Sequence, residues 1–179
     1  MMKLGSWEVN VVVGAMPQKV ATAFGEIFAN LYGAEYTPIA YLGKQVVNGV
    51  NHAILAEQRI ITGHDVKNIV MIVLNEKPEG FSLVSITPEV EGSTGVGAVE
   101  VDVKTDIPAD AKAAFEASMV GFVGCNVEPF VLLATQVTKG TDYIFAAESE
   151  VVAPDATKRV VLVTSNIMTR SVQFETILG

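Results

Sequence analysis

The chain repeats itself, and that constrains its fold more than any single motif does. Residues from Pro17 onward align with those from Pro108 onward at an offset of 91, without a gap. Eleven of the 41 positions from Pro17 to Glu57 are identical between the copies: Pro17/Pro108, Ala23/Ala114, Phe24/Phe115, Gly33/Gly124, Pro38/Pro129, Leu42/Leu133, Gln45/Gln136, Val46/Val137, Gly49/Gly140, Ala56/Ala147 and Glu57/Glu148. A composition rich in Ala, Val and Gly would give about three or four by chance. The mismatches are similar in kind, as in Asn51/Asp142 and Ile60/Val151, and the offset holds on to Lys67/Lys158, Asn75/Asn166 and Ile86/Ile177. One folding unit therefore occurs twice. The expected units are residues 1–90 and 96–179. Between them residues 88–97, PEVEGSTGVG, have the Gly/Ser/Thr/Pro-rich, acidic character of a linker.

Within each unit the hydrophobic period changes once. Val20, Phe24, Ile27, Phe28 and Leu31 recur at helical spacing, as do Ala111, Phe115, Met119 and Phe122. Pro17 and Pro108 suit a first helical turn, and Gly33 and Gly124 suit the residue that ends a helix. Afterwards the period is two. Ile54, Ala56 and Ile60 form the cleaner apolar face, expected to meet the helix, and Leu55, Glu57 and Arg59 form the face expected to be wet. Lys67 to Glu76, Lys158 to Met168, Phe81 to Thr87 and Val172 to Leu178 are further strands. The order strand, helix, four strands predicts an α+β fold: two tandem units, each with one helix packed on a curved antiparallel β-sheet.

Composition narrows the function. Half of the 179 residues are hydrophobic and 18% are charged, enough for a real core. A net charge of −8 speaks against nucleic acid as a partner, because phosphate binding rests on Lys and Arg. One cysteine, Cys125, allows neither a disulfide framework nor a Cys-based zinc site. The start Met1-Met2-Lys3-Leu4-Gly5 lacks the apolar core of a signal peptide, and no window approaches the ~20 apolar residues of a membrane span. A cytoplasmic protein with no membrane partner is expected.

Candidate chemistry is thin. Cys125 with His52 or His64 as base would make a nucleophile, yet Cys125 aligns with Ala34, which points to a packing role. His52 aligns with Tyr143, which suggests a half-buried strand position. His64 lies in a Thr62-Gly63-His64-Asp65 turn, and the two histidines lack the carboxylate cluster of a metal site. Glu57 and Glu148 suit cross-strand ion pairs with Arg59, Lys67 or Lys158. The glycines from Gly92 to Gly97 lack the lysine and following helix of a phosphate loop. Neither a metal, a cofactor nor an enzymatic activity is expected.

One string stands out. Gln45-Val46-Val47-Asn48-Gly49 sits between two predicted strands after a strand–helix–strand order, and Gln136-Val137-Thr138-Lys139-Gly140 repeats it. The Asn-Gly pair is a strong hairpin-turn signal, since both residues tolerate positive φ. The string resembles the Gln-x-Val-x-Gly first hairpin of the cystatins, and the element order is similar to that family over roughly Gly5 to Pro88. The resemblance implies two cystatin-like repeats and inhibition of papain-like cysteine proteases. It implies a wedge of three parts: Gly5, the Gln45–Gly49 hairpin, and a second hairpin at Lys77-Pro78-Glu79-Gly80. That hairpin has the family's Pro, as Pro78, but not its Trp, and the second copy has Thr138 for Val and no Pro in its last hairpin. The protein-binding residues so implied are Gly5, Gln45, Val46, Val47, Asn48, Gly49 and Pro78. The alternatives are a non-inhibitory interaction or assembly module, with a homo-oligomer as one form, and a small-ligand-binding domain.

Overall fold

A computed structural model describes residues 4–61 and 63–179; Thr62, in the turn read from the sequence, and the first three residues lie outside them. The chain divides into two compact units, Met1–Glu91 and Gly92–Gly179. The first comprises β1 (Trp7–Val13), α1 (Gln18–Ala29), β2 (Ala34–Val47), β3 (Gly49–Ile60), β4 (Val66–Lys77) and β5 (Gly80–Glu91). The second comprises β6 (Val99–Lys104), α2 (Ala109–Ser118), β7 (Cys125–Thr138), β8 (Gly140–Val151), β9 (Lys158–Asn166) and β10 (Ser171–Leu178). Each unit is one five-stranded antiparallel sheet whose strands lie in chain order.

This corrects the expected fold class. Strands hold 58% of the chain and helices 13%, so the protein is mostly β and not a pair of α+β cystatin-like units. The physical reason is length. Strands β2 to β5 run 12 to 14 residues each, whereas the helices run 12 and 10. The helical stripes stop short of the sequence reading. Helix α1 ends at Ala29 and contributes Val20, Ala23 and Phe24 to the core, while Leu31 lies beyond it and is exposed. Phe122 lies beyond α2, where its ring stacks at 4.9 Å on Phe174. Gly33 and Gly124 do not end the helices. Each takes positive φ and leads into a strand, and their carbonyls accept from Ile61 and Val152. Strand β5 runs through Pro88 to Glu91, so the connection between the units begins at Gly92.

The core of the first unit joins Val20 and Phe24 to Tyr41, Ile54, Ala56, Val70, Ile72 and Leu74. In the second, Ala111 and Phe115 meet Leu132, Phe145, Ala147, Val161 and Val163. The face expected to be wet is wet only toward its end. Ala53 and Leu55 are fully buried, as are Ile54 and Ala56, whereas Arg59 is exposed. Runs such as Ile69-Val70-Met71-Ile72-Val73-Leu74 have the continuous hydrophobicity of strands buried on both faces. The duplication extends to irregularities. Register shifts fall at Pro38/Ala40 and Tyr41/Gly43 in β2 and at Pro129/Val131 and Leu132/Ala134 in β7. A proline lacks the N–H for a ladder bond, so a bulge accommodates it.

The Glu57 and Glu148 pairing is cross-strand, to Lys67 and Lys158, each at 3.9 Å. Among the described residues no helix is long and apolar enough to cross a membrane. Because Ile54 is fully buried beneath α1, Ile54→Ala should cost about 2–5 kcal/mol. Urea unfolding with an unchanged m-value would measure it.

Candidate interaction site

The β2–β3 hairpin turns within one residue. Val47 pairs with Gly49, leaving Asn48 alone at the tip. Of the Asn-Gly pair only Gly49 takes positive φ, at 90°. A Cβ on Gly49 would also run into the Glu76 carbonyl, so glycine is required there twice over. That close approach sets the β2–β3 tip beside β4 just before the β4–β5 turn at Lys77–Gly80.

Two side chains hold this end of the sheet together. Gln45 Nε2 donates to the Gly5 carbonyl at 2.7 Å, and the Gly5 N–H donates to the Val46 carbonyl at 2.9 Å. Asn75 Nδ2 donates to the Asn48 carbonyl at 3.2 Å and to Asn51 Oδ1 at 2.9 Å, and Asn51 Nδ2 donates to Gln45 Oε1 at 3.0 Å. The second unit repeats the device. Gln136 Nε2 donates to the Gly97 carbonyl at 3.0 Å, and Asn166 Nδ2 donates to the Lys139 carbonyl at 3.1 Å and Asp142 Oδ1 at 2.7 Å.

The structure thus brings Gly5, Gln45–Gly49 and the Pro78 turn to one end of the first sheet and divides their roles. Gln45, Val46 and Gly49 are half-buried and shape the hairpin from within. Gly5, Val47, Asn48 and Pro78 are exposed, and Leu4 beside them is 82% exposed. Sequence reasoning missed Asn75 as the pin, although its identity with Asn166 was the available signal.

It also missed a polar chain inside the first unit. His52 is buried, not half-buried. Its Nδ1 lies 2.8 Å from Tyr41 Oη, its Nε2 lies 2.8 Å from Glu76 Oε2, and Lys19 Nζ reaches Glu76 Oε1 at 2.7 Å. With the proton on Nε2, the phenol donates to Nδ1 and the imidazole donates to the carboxylate, so each polar group is satisfied. The chain ties α1 to β2, β3 and β4. Burial, then the negative charges of Glu76 and Glu8, push the Tyr41 phenol up to about 12. The hydrogen bond from Lys19, then that from His52, holds the Glu76 carboxyl below its usual range against partial burial. In the second unit Tyr143 replaces His52 and Asp110 replaces Lys19, and the Tyr143 hydroxyl donates to Asp110 Oδ2 at 3.2 Å. Burial first and Asp110 second raise that phenol too. The helix-to-sheet link is rebuilt with different parts.

Cys125 is a free, half-buried thiol at the start of β7, paired in register with Val151. His64 is exposed in its turn. Among the described residues no three His, Cys, Asp or Glu side chains converge as metal ligands would. No protein-family model matches the chain, and no curated protein or solved structure matches it.

Removing a pin takes away hydrogen bonds to exposed or half-buried partners that water can reach. Asn75→Ala should cost about 1 kcal/mol and speed amide exchange at Val50 and Asn51, with Asn166→Ala acting likewise on β8. The polar chain sets two pH limits. The lowered Glu76 pKa contributes stability above the ordinary carboxylate range, lost as pH falls through the folded value. The raised Tyr41 pKa contributes stability below pH 10, lost as pH rises toward about 12. Denaturant titrations should show this alkaline loss, up to roughly 2 kcal/mol, and Tyr41→Phe should abolish it.

Proposed function

We propose that the chain is a non-catalytic protein-binding module, and that the end of the first sheet is its contact surface. One observation carries this reading: three separate segments meet at that end and are pinned from within by Gln45 and Asn75, leaving Leu4, Val47, Asn48 and Pro78 outward. A protruding surface already held in one shape loses little freedom on binding, so its apolar contacts count nearly in full toward affinity. Tyr41 and His52 are buried and Glu76 is half-buried, each bonded to the next, which supports a structural rather than catalytic use of those groups.

The recess such a surface suits is narrow and largely uncharged, and the active-site cleft of a papain-like cysteine protease is the sharpest candidate. The resemblance of Gln45–Gly49 to the cystatin hairpin points there. Val47 and Pro78 supply uncharged contact, with no peptide bond that must be cut. Placement in the cytoplasm belongs to the same proposal.

Inhibition of papain by the purified protein tests the target. Inhibition is expected to weaken at least tenfold in Val47→Asp and Pro78→Asp, which alter outward groups only, and to be unchanged in Val137→Asp. An absence of inhibition at tens of micromolar would remove papain-like proteases as the target.

A further inference from the structure

The two units share one geometry but not one charge pattern, and the difference is complementary within the second unit. Its sheet end carries an exposed apolar cluster: Val137 is 71% exposed, Met168 65% and Ile167 49%, with Val96 fully exposed beside them. They belong to one surface. Asn166 bonds the Lys139 carbonyl and accepts from the Met168 N–H at 2.9 Å, and a Cβ on Gly140 would stand 2.9 Å from Met168 Cβ. Gln136 holds Gly97, and with it the Val96 segment, against the same end. Two exposed cations flank the cluster, Lys139 and Arg170. The first unit has Asn48 and Glu79 at those positions.

Away from this tip, between α2 and β7, lies a cleft of about 470 Å³ floored by Ile107, Phe115, Val127, Pro129 and Phe130. Asp106, Glu116 and Glu128 stand on its rim, against one lysine, Lys112. The first unit has a cleft at the equivalent place, about 380 Å³, where Ala15, Met16, Ala21, Pro38 and Ile39 stand at the positions of Asp106, Ile107, Lys112, Pro129 and Phe130. At the 91-residue offset the three acids correspond to Ala15, Gly25 and Thr37, of which Ala15 lines that cleft. The tip of the second unit thus carries two cations, Lys139 and Arg170, where that of the first carries Lys77 beside Glu79, and the second unit's cleft has acids where the lining of the first has none.

We infer that the tip of the second unit docks into the acid-rimmed cleft of the second unit of another copy of this chain. A second copy is the occupant because every copy carries both complementary halves. The tip cannot reach its own cleft: Val137 and Pro129 lie eight residues apart on β7, roughly 25 Å of strand. Tip and cleft are different surfaces, so the contact is head-to-tail and builds chains or closed rings rather than twofold dimers. One hairpin tip in one cleft is a small contact beside a standard interface of roughly 1,200–2,000 Å², so the association is weak. It also weakens with salt, because the flanking charges are exposed. The contact uses none of the surface proposed for protease binding, and papain inhibition leaves it untouched.

Sedimentation velocity of the full chain up to ~500 µM, at low salt, tests it. The wild type should show an average mass that rises with concentration. The tip variant Lys139→Glu/Arg170→Glu and the cleft variant Glu116→Lys/Glu128→Lys should each associate at least tenfold more weakly. Mixing the two reversed variants should restore association, since each then supplies what the other needs, and that recovery also shows that both are folded. A wild type that stays monomeric at ~500 µM would overturn the inference, as would a mixture no more associated than its components. Binding to phosphatidylserine vesicles that is lost in the tip variant and kept in the cleft variant would overturn it in favour of a lipid surface.

Discussion

Burial of the middle strands on both faces is the constraint from which the rest of each unit follows. Ala53, Ile54, Leu55 and Ala56 point alternately to opposite faces of β3, and all four are fully buried. Ala146 and Ala147 in β8 and Val160 and Val163 in β9 behave the same way. A strand buried on both faces has no place for a charge along its middle, since an unpaired buried charge is costly. Polar chemistry is therefore pushed to the strand ends, to hairpin tips and to helix–strand connections. Where a titratable group does enter the interior, as His52 does, it arrives with a partner on each ring nitrogen. The ends of the sheets and the clefts beside the helices are thus among the surfaces that carry the polar and charged groups.

The duplication separates what the fold requires from what it tolerates. Gln45/Gln136, Gly49/Gly140, Asn75/Asn166 and Pro38/Pro129 are unchanged, and each serves the geometry. The glutamines pin the N-terminal segment of each unit, the glycines close the hairpin, the asparagines pin its tip, and the prolines sit at a bulge. By contrast Asn48/Lys139, Glu79/Arg170, Ala15/Asp106 and Gly25/Glu116 change charge. Geometry is shared because a missing pin leaves carbonyls and amides without partners at a strand end. Charge is free to diverge because an exposed side chain contributes little to stability.

Much of this was legible in the sequence, with characteristic exceptions. Periodicity placed both helices and the later strands of each unit, and the repeat carried each placement from one copy to the other, while β2 and β7, the longest strands, followed only from the order of elements. The balance between helix and sheet was not legible. Stripes such as Val20 to Leu31 continue in period past the residue where the helix ends, and periodicity alone does not say where hydrogen bonding stops. The wet face of β3 was misread because Leu55 looks like one apolar residue on a charged face, while its burial depends on surroundings that no local pattern encodes. His52 was placed by analogy with Tyr143. Its partners Tyr41 and Glu76 are 11 and 24 residues away, and only the register of three strands brings them together.

The segments that the sequence singled out lie at one end of the first sheet, but the sequence assigned their roles by motif. Gln45 is the telling residue. In the string that resembles the cystatin hairpin it reads as a contact residue, yet its amide donates to Gly5 and accepts from Asn51, so both ends of the side chain are used within the unit. A glutamine so engaged would have to break two hydrogen bonds before meeting a partner. Val47 and Pro78 have nothing of the kind to give up. Any affinity at this end therefore comes from exposed apolar groups on a frame that Gln45 and Asn75 keep in place. The same frame, with the same two pins, in the second unit carries Val137 and Met168 between two cations. A shared frame with different groups mounted on it lets one duplicated fold present two surfaces of different chemistry.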